Sequence, residues 1–349
     1  MLTGKKTILF GAGINGRRGL NFFGYDRVYC FTDNIKAGQT FWGKPIISFD
    51  ELVGIKEDYN VVLSANVESS ASIAKQCEIC GVSFSYLDDH ISHEDFESNL
   101  RIQSFKNKHK GERCFLVGNG PSLSADDLTV LHKNSEIAFG CNAISRIFDD
   151  TPWRPNYYLV IDSAFFKFQS EMLAKTEAGF KFFPALIDTN TNVDDMAVML
   201  ELFNRVQGQI NYFRIVPHCR LDGVMHFSQD ISKAVYVHGN VMYVLIQFAV
   251  YMGFTEIYLI GVDGGTIGYE SQGENTPKGS HFYKEDEQLD KLFNSYITYA
   301  KPEIRANIEV NAYMTADEYT RKLGVRILNA SRGGKLGVFE RVDFDKIYV

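Results

Sequence analysis

The sequence lacks a surplus of positive charge, a dense set of cysteines and any long unbroken apolar run. Its 36 Lys and Arg are outnumbered by 43 Asp and Glu, a net charge of −7. That balance leaves no electrostatic footprint for nucleic acid, although a local basic patch remains compatible with a small acidic ligand. The six cysteines, Cys30, Cys77, Cys80, Cys114, Cys141 and Cys219, are scattered. This argues against a disulfide framework and fits reduced core thiols in a cytoplasmic protein. Cys77-Glu78-Ile79-Cys80 has zinc or redox spacing, but no second Cys/His pair lies near it, so no metal is expected. The longest apolar segment, Val241 to Met252, stops at Gly253 and is too short for a bilayer; it predicts a buried helix. Met1 to Lys6 runs directly into a strand without a signal-peptide pattern, which again points to the cytoplasm.

What is present is an ordinary globular composition, 45% hydrophobic and 23% charged over 349 residues, enough for two cores. Thr7-Ile8-Leu9-Phe10 predicts a strand feeding Gly11-Ala12-Gly13-Ile14-Asn15-Gly16, and a helix follows to Phe23. A second strand, Val28 to Phe31, then ends in Thr32-Asp33-Asn34. Gly11, Gly13, Gly16 and Asp33 thus form a dinucleotide fingerprint in its strand–loop–helix–strand context. Beyond it the pattern predicts a turn and short helix at Lys44–Leu52, a strand at Tyr59–Ser64, a helix from Ser69 to Cys80 closed by Gly81, and a strand at Val82–Leu87. His90 to Lys110 is polar with helical spacing and reads as a connector. The expected organisation is a small Rossmann-like domain over 1–90, a helical connector over 91–112 and a larger domain over 113–349. The fold class is α/β, with two Rossmann-like parallel sheets.

The larger domain is organised around Cys114-Phe115-Leu116-Val117-Gly118-Asn119-Gly120-Pro121-Ser122-Leu123. The apolar run predicts a buried parallel strand. The glycines allow a sharp turn and close ligand approach, and Pro121 suits the first turn of a following helix. Free amides at a helix N-terminus would favour phosphate, although such a turn also exists simply to turn the chain. No Gly-Lys-Ser/Thr follows, so the loop is not a Walker motif. Further strands are expected at Ile137–Asn142, Tyr157–Ile161, Lys181–Phe183, Tyr212–Val216 and Glu256–Asp263, with a helix over Asp194–Val206. Asn119, Asn142, Asp162 and Asp263 fall at strand ends, where an open α/β sheet has its crevice. Asp162 and Asp263 could alternatively cap helices.

These motifs carry two resemblances. Ile8 to Gly13, Asp33-Asn34, and Gly43 to Ile46 with Glu51-Leu52 resemble the N-terminal domain of sugar-modifying enzymes from bacterial surface-polysaccharide pathways. In such domains the glycines do not by themselves imply NAD, and a regulatory or scaffolding role is an equal alternative. Leu116 to Leu123, Gly140 to Ile144, Gly239-Asn240 with its helix, and Glu256 to Asp263 resemble one superfamily. It spans the bacterial lipo-oligosaccharide sialyltransferases, the motility-associated-factor flagellin glycosyltransferases, and proteins named after the 6-hydroxymethylpterin diphosphokinase MptE. Ser280 to Tyr283, and Asn329-Ala330-Ser331-Arg332-Gly333-Gly334, fit the same pattern.

The resemblance implies that Gly118, Asn119, Gly120 and Ser122 hold the phosphate or ribose side of a nucleotide, with Asn142, Asp162, Gly239 and Asn240 lining the donor. It further implies that Asp263 orients groups in the crevice, that His281 is the general base, and that Tyr283 or Tyr269 hydrogen-bonds the leaving phosphate. An imidazole suits that proton transfer near neutral pH. The sialyltransferases carry two histidines here, whereas this chain has His281 alone with Glu285 near the other place; His281 could equally be a surface-loop residue. His238, beside Gly239, is open between the same two readings, and His218 and His226 fit a polar loop.

The implied function is transfer of a sugar, such as a nonulosonic acid from a CMP-linked donor, to a glycan or polysaccharide acceptor with no cofactor required. The alternatives are an ATP- and Mg-dependent diphosphokinase, with Asp162, Asp263 and Glu285 as its acidic groups, and a non-catalytic sugar-nucleotide-binding protein. Partners under the favoured reading are the nucleotide-sugar and the glycan, with peripheral membrane association through the acceptor and a homo-oligomer both allowed. The segment from Leu336 to Val349 is open between a closing strand and an interface.

Overall fold

The structure, a computed structural model, describes residues 4–185, 201–206, 208–216, 225–238, 240–264, 281–283 and 302–348. Gly239, Tyr269, Glu285, His218, Cys219 and the first part of the helix expected over Asp194–Val206 lie outside the described residues. The chain divides into two compact units, the first running to Asp95 and also taking in Val216, the second holding Phe96–Ile215 and the chain from Met225 onward.

The smaller unit contains β1 (Thr7–Phe10), α1 (Ile14–Phe23), β2 (Val28–Thr32), β3 (Thr40–Phe41), β4 (Lys44–Ile47), α2 (Phe49–Ile55), β5 (Asn60–Leu63), α3 (Val67–Ile79) and β6 (Phe84–Tyr86). Its six strands lie in the order β3-β4-β2-β1-β5-β6. All neighbours are parallel except the β3/β4 hairpin. Every residue of β1 is buried, as a strand covered on both faces requires. Lys44 to Ile47 is a strand rather than the start of a helix, because Ile46 and Ile47 pair with Phe31 and Thr32. Ser48 then caps α2 through a capping box with Glu51, which delays the helix to Phe49.

The larger unit begins with α4 (Leu100–Gln103) and β7 (Arg113–Val117), followed by α5 (Ala125–Lys133), β8 (Ala138–Cys141), β9 (Tyr157–Leu159), α6 (Ser163–Phe168) and α7 (Ser170–Lys175). Next come β10 (Phe180–Pro184), β11 (Ile210–Phe213), α8 (Val241–Tyr251), β12 (Glu256–Ile260), α9 (Pro302–Lys322), β13 (Arg326–Asn329) and β14 (Glu340–Arg341). These eight strands form one sheet in the order β11-β10-β9-β8-β7-β12-β13-β14. The registers are parallel throughout. The chain builds outward from β7 to β11 on one side, then returns to add β12, β13 and β14 on the other. The strand order therefore reverses between β7 and β12, and such a switch point opens a crevice at the C-terminal strand ends.

The segment expected to be a helical connector holds only the short α4, capped by Asn99, followed by turns. Asn107 and Gly111 adopt positive φ (55° and 83°), which stops a helix from continuing. Phe105 of this segment is buried edge-on to Phe180 and Phe182, so it is core of the larger unit. The Val241 segment is a buried helix, with Met242 to Ala249 all inside. The C-terminal segment closes the sheet: Glu340 and Arg341 pair with Leu328 and Asn329, and Phe344 is buried beyond them. No described helix is long and apolar enough to cross a membrane. The five described cysteines are free, and all but Cys80 are buried.

Candidate functional site

Three loops converge at the switch point of the larger unit. The first follows β7. Its Gly118 N–H donates to Ile260 O at 2.9 Å and its Gly120 N–H to Gly261 O at 2.8 Å. Glycine is required by close approach: a Cβ at Gly118 would stand 2.4 Å from Gly261 O, and one at Gly120 2.1 Å from Asp263 Oδ2. The second loop, after β12, turns at Gly261 (φ 63°) and carries Asp263, which is 8% exposed. Asp263 Oδ2 accepts the Ser122 N–H at 2.9 Å. The third loop follows β13. Ser331 Oγ accepts the Val262 N–H at 2.9 Å, and the Lys335 N–H donates to Asp263 O at 2.7 Å. Gly334 (φ 92°) packs so closely that a Cβ would lie 2.4 Å from Asp263 Cα.

Two consequences correct the sequence expectation. The amides of Gly118, Gly120 and Ser122 are bound to the neighbouring loop, so they are not free to cradle a phosphate. The helix does not start at Pro121 either. It starts at Ala125, where Ser124 Oγ accepts from the Asp126 and Asp127 N–H groups. Asp126 and Asp127 place negative charge in that first turn, which satisfies the dipole internally. Asp127 is in turn paired bidentately by Arg332, with Nε–Oδ2 at 2.9 Å and Nη2–Oδ1 at 2.7 Å, and the same guanidinium holds Asp345.

Around this knot the buried polar atoms left without a partner among the described residues are mostly acceptors: Asn119 Oδ1, Asn142 Oδ1 and Asp263 Oδ1, with the Ser122 hydroxyl. Asn119 is held by its amide, which donates to Cys141 O at 3.1 Å and lies 3.6 Å from Cys141 Sγ. Burial pushes the Cys141 thiol up to about 12, so it is a core thiol and no nucleophile. Asn142 sits at positive φ (48°), fixed by the Tyr158 hydroxyl donating to its carbonyl at 2.5 Å. Oxygens that accept and do not donate call for a ligand bearing hydroxyl or amino donors. Such buried groups are costly when left unpaired.

His281, Phe282 and Tyr283 join the same place, since the Phe282 N–H donates to Asn119 O at 3.0 Å. The His281 and Tyr283 rings stack at 4.9 Å, and the Arg146 guanidinium lies 5.4 Å from the Tyr283 ring. Burial pushes the His281 imidazole down to about 4, so it is neutral at physiological pH.

The remaining expected residues are placed differently. Asp162 stands at the start of α6, its carbonyl accepting the Phe165 N–H at 3.1 Å. Asn240 caps α8 through Oδ1 to the Tyr243 N–H at 2.8 Å, while its buried Nδ2 has no partner among the described residues. His238 is buried, with Nε2 3.1 Å from both the N and the O of His226. The loop from Ser331 to Gly334 was legible as a motif but not as a wall of this site. The signal was available: a polar, Gly-rich turn directly after an apolar strand, the same pattern as Gly118 to Ser122.

In the smaller unit the fingerprint residues close on one another. Gly11 adopts φ 121° with Ala65 N 2.9 Å from where a Cβ would stand, and at Gly16 a Cβ would meet Gly11 O at 2.1 Å. At Gly13 a Cβ would meet nothing within 4 Å. The Asp33 carboxylate accepts the N–H groups of Ala12 (3.0 Å), Ile35 (3.0 Å) and Lys36 (3.2 Å), and Lys36 Nζ donates to Ala12 O at 2.6 Å. The acid that would hold a ribose is thus turned onto the main chain of its own loop and of the loop after β1.

The fold is α/β, with two Rossmann-like parallel sheets, the larger carrying a cluster of buried polar side chains at its switch point. Residues 92–268, just over half of the chain, match the family model described as 6-hydroxymethylpterin diphosphokinase MptE-like, and the chain belongs to that family. Comparison with curated proteins gave no match. Among solved structures the chain is similar to the MAf glycosyltransferase from Magnetospirillum magneticum AMB-1, at 13% identity and a TM-score of 0.42. That match covers 99% of this chain and spans 58% of the other. It is also similar to the sialyltransferase CstII from Campylobacter jejuni, solved with cytidine-5'-monophosphate, at 14% identity and a TM-score of 0.38 over 67% of this chain and 85% of that one.

Proposed function

We propose that the larger unit is a glycosyltransferase that moves a sugar from a nucleotide-linked donor, such as a CMP-linked nonulosonic acid, to a glycan hydroxyl. One observation supports this reading above the others: buried polar atoms of Asn119, Ser122, Asn142 and Asp263 without a partner among the described residues stand at one switch point, and the neutral imidazole of His281 adjoins Phe282, whose N–H donates to Asn119 O. Sugars and ribose supply the hydroxyl donors those acceptors require. In this mechanism the acceptor O–H gives its proton to His281 while its oxygen forms a bond to the anomeric carbon. The anomeric carbon–phosphate oxygen bond breaks, and the nucleoside monophosphate departs with the electron pair. Tyr283 is the hydrogen-bond donor to that phosphate, and fixed positioning supplies most of the rate.

The second reading is diphosphate transfer from ATP with Mg²⁺, favoured by the family match over 92–268. Against it stand the engaged amides of Gly118, Gly120 and Ser122, since a triphosphate draws on a cradle of free amides. A leaving group with a single phosphate asks less of the loop.

A thermal-shift series with CMP, CDP, UDP and ATP, with and without Mg²⁺, separates the two. Ligand at a hundred times its dissociation constant stabilises by about 2.7 kcal/mol. Stabilisation by CMP without metal is the expected result; stabilisation by Mg-ATP alone would favour the kinase, and no response to any nucleotide would leave a non-catalytic role. His281→Ala is expected to keep CMP affinity and lose turnover, and unchanged turnover removes the imidazole from the mechanism.

A further inference from the structure

We propose that the strap from Leu100 to Lys110 docks the larger unit on an anionic phospholipid surface, with Arg101, Lys106, Lys108 and Lys110 against the headgroups and Leu100 in the acyl boundary. The inference goes beyond the nucleotide reading above and is independent of it. Residues 100–110 hold these cations and no acid, in a chain whose net charge is −7. All four are exposed, and none makes an ion pair among the described residues. The strap itself is fixed. The N–H groups of Asn107, His109 and Gly111 donate to Tyr251 O, Met252 O and Gly253 O at 3.0, 2.8 and 2.9 Å, so every second amide closes the end of α8. The Lys108 and Lys110 N–H groups between them close turns onto Phe105 O and Asn107 O. Main-chain donors thus satisfy the carbonyls that end the helix, a duty basic side chains often take. The ammonium groups sit beside aromatic rings instead: Lys108 Nζ is 4.2 Å from the Phe180 ring centre and Lys106 Nζ 5.8 Å from that of Tyr251. A ring attracts a cation without neutralising it, so the strap keeps its positive charge.

What stands beside the charge selects the partner. Leu100 is 79% exposed and Tyr212 36%, and Asn99 Nδ2 ties α4 to β11 by donating to Tyr212 O at 2.9 Å. Burial pushes the Tyr212 phenol up and the Arg101 charge opposes that shift, which sets the guanidinium near the same ring. A protruding leucine among cations gains nothing from the phosphates of a nucleic acid. At a bilayer it enters hydrocarbon while the long basic side chains reach the headgroups. The docked chain lies on the membrane and does not span it. Tyr157 and Phe180, under the strap, begin β9 and β10. The lipid surface is therefore at the N-terminal strand ends, and the polar cluster at the C-terminal ends faces away from it.

The test is flotation of the full chain with phosphatidylcholine vesicles and with vesicles in which about one third of the lipid is phosphatidylglycerol. The wild type is expected to partition at least about tenfold more strongly onto the anionic vesicles and to be released at about 1 M salt. Lys106→Gln with Lys110→Gln is expected to lose about 25-fold, roughly fivefold per cation, at an unchanged melting temperature. Lys335→Gln with Lys346→Gln removes the same charge from the loops after β13 and β14, and is expected to change the partition by less than about threefold. Leu100→Ser leaves the charge intact and is expected to cost about tenfold. Should the double strap variant fail to fold, Leu100→Ser and Arg101→Gln, single changes at exposed side chains, decide. Equal partition onto both kinds of vesicle, equal loss in the two double variants, or unchanged partition in Leu100→Ser overturns the proposal. Capture of an RNA oligonucleotide by a strap that ignores anionic vesicles makes it a nucleic-acid surface and overturns it as well. None of these outcomes bears on the nucleotide reading, which CMP binding decides.

Discussion

The Ser122 N–H donates to Asp263 Oδ2 at 2.9 Å, joining residues separated by 141 positions across the switch point. This bond fixes the loop after β7 against the loop after β12 and leaves the other carboxylate oxygen facing Gly333. Asp263 is thus a structural tie between the two loops, with its second carboxylate oxygen buried and without a partner among the described residues. Asp263→Ala leaves the Ser122 N–H without its acceptor and is expected to cost about 1–3 kcal/mol of stability. Asp263→Asn, which can keep an oxygen toward that N–H, is expected to lose less. Urea midpoints at constant m check the ordering.

His281 is expected to make stability depend on pH and, under the proposed mechanism, turnover as well. Its imidazole titrates near 6.5 when unfolded, and burial lowers it to about 4 in the folded chain. Above pH 6.5 both states are neutral and the contribution to stability is complete. As pH falls below 6.5 the unfolded chain binds the proton first, and stability drains until the folded imidazole is itself protonated near pH 4. The whole loss is roughly 3 kcal/mol at most. Urea melts from pH 7 to 4 are expected to show this decline in the wild type and not in His281→Gln. The acid limb of kcat/KM is expected near pH 4 rather than near 6.5.

Arg332 anchors the third loop through one buried and one exposed carboxylate. Removing it by Arg332→Ala leaves the buried Asp127 uncompensated. The expected cost is about 1–3 kcal/mol, below the range for a fully buried pair because the Arg332 side chain is 41% exposed. Asp345→Ala removes only the outer partner, 66% exposed and screened by solvent, and is expected to cost clearly less than Arg332→Ala. Denaturant midpoints of the two variants compare them directly.

In the smaller unit, Asp33→Ala is expected to act on folding. It strands the N–H groups of Ala12, Ile35 and Lys36, at a cost of about 1–3 kcal/mol. NAD is expected to leave the melting temperature of the wild type unmoved. A melting shift with NAD that Asp33→Ala abolishes would return the fingerprint to a dinucleotide role.

The division of labour between sequence and tertiary structure is plain in particular residues. Apolar runs such as Cys114 to Val117 and Glu256 to Ile260, each followed by glycine, determined by themselves that strands end there and turn. Strand burial is written locally, in the choice of side chains along a few residues. The sequence also determined that the polar residues Asn119, Asn142 and Asp263 would stand at strand ends. It could not show that the Gly118 and Gly120 amides are bound to the end of β12 and the turn after it, that Asp33 turns onto main-chain N–H groups of two loops, or that Ser331 and Gly334 pack against the loop that carries Asp263. Those facts depend on which strands become neighbours and in what register, and on hydrogen bonds closed between segments far apart in the chain. Only the tertiary structure decided which polar atoms were already satisfied and which were left without a partner among the described residues.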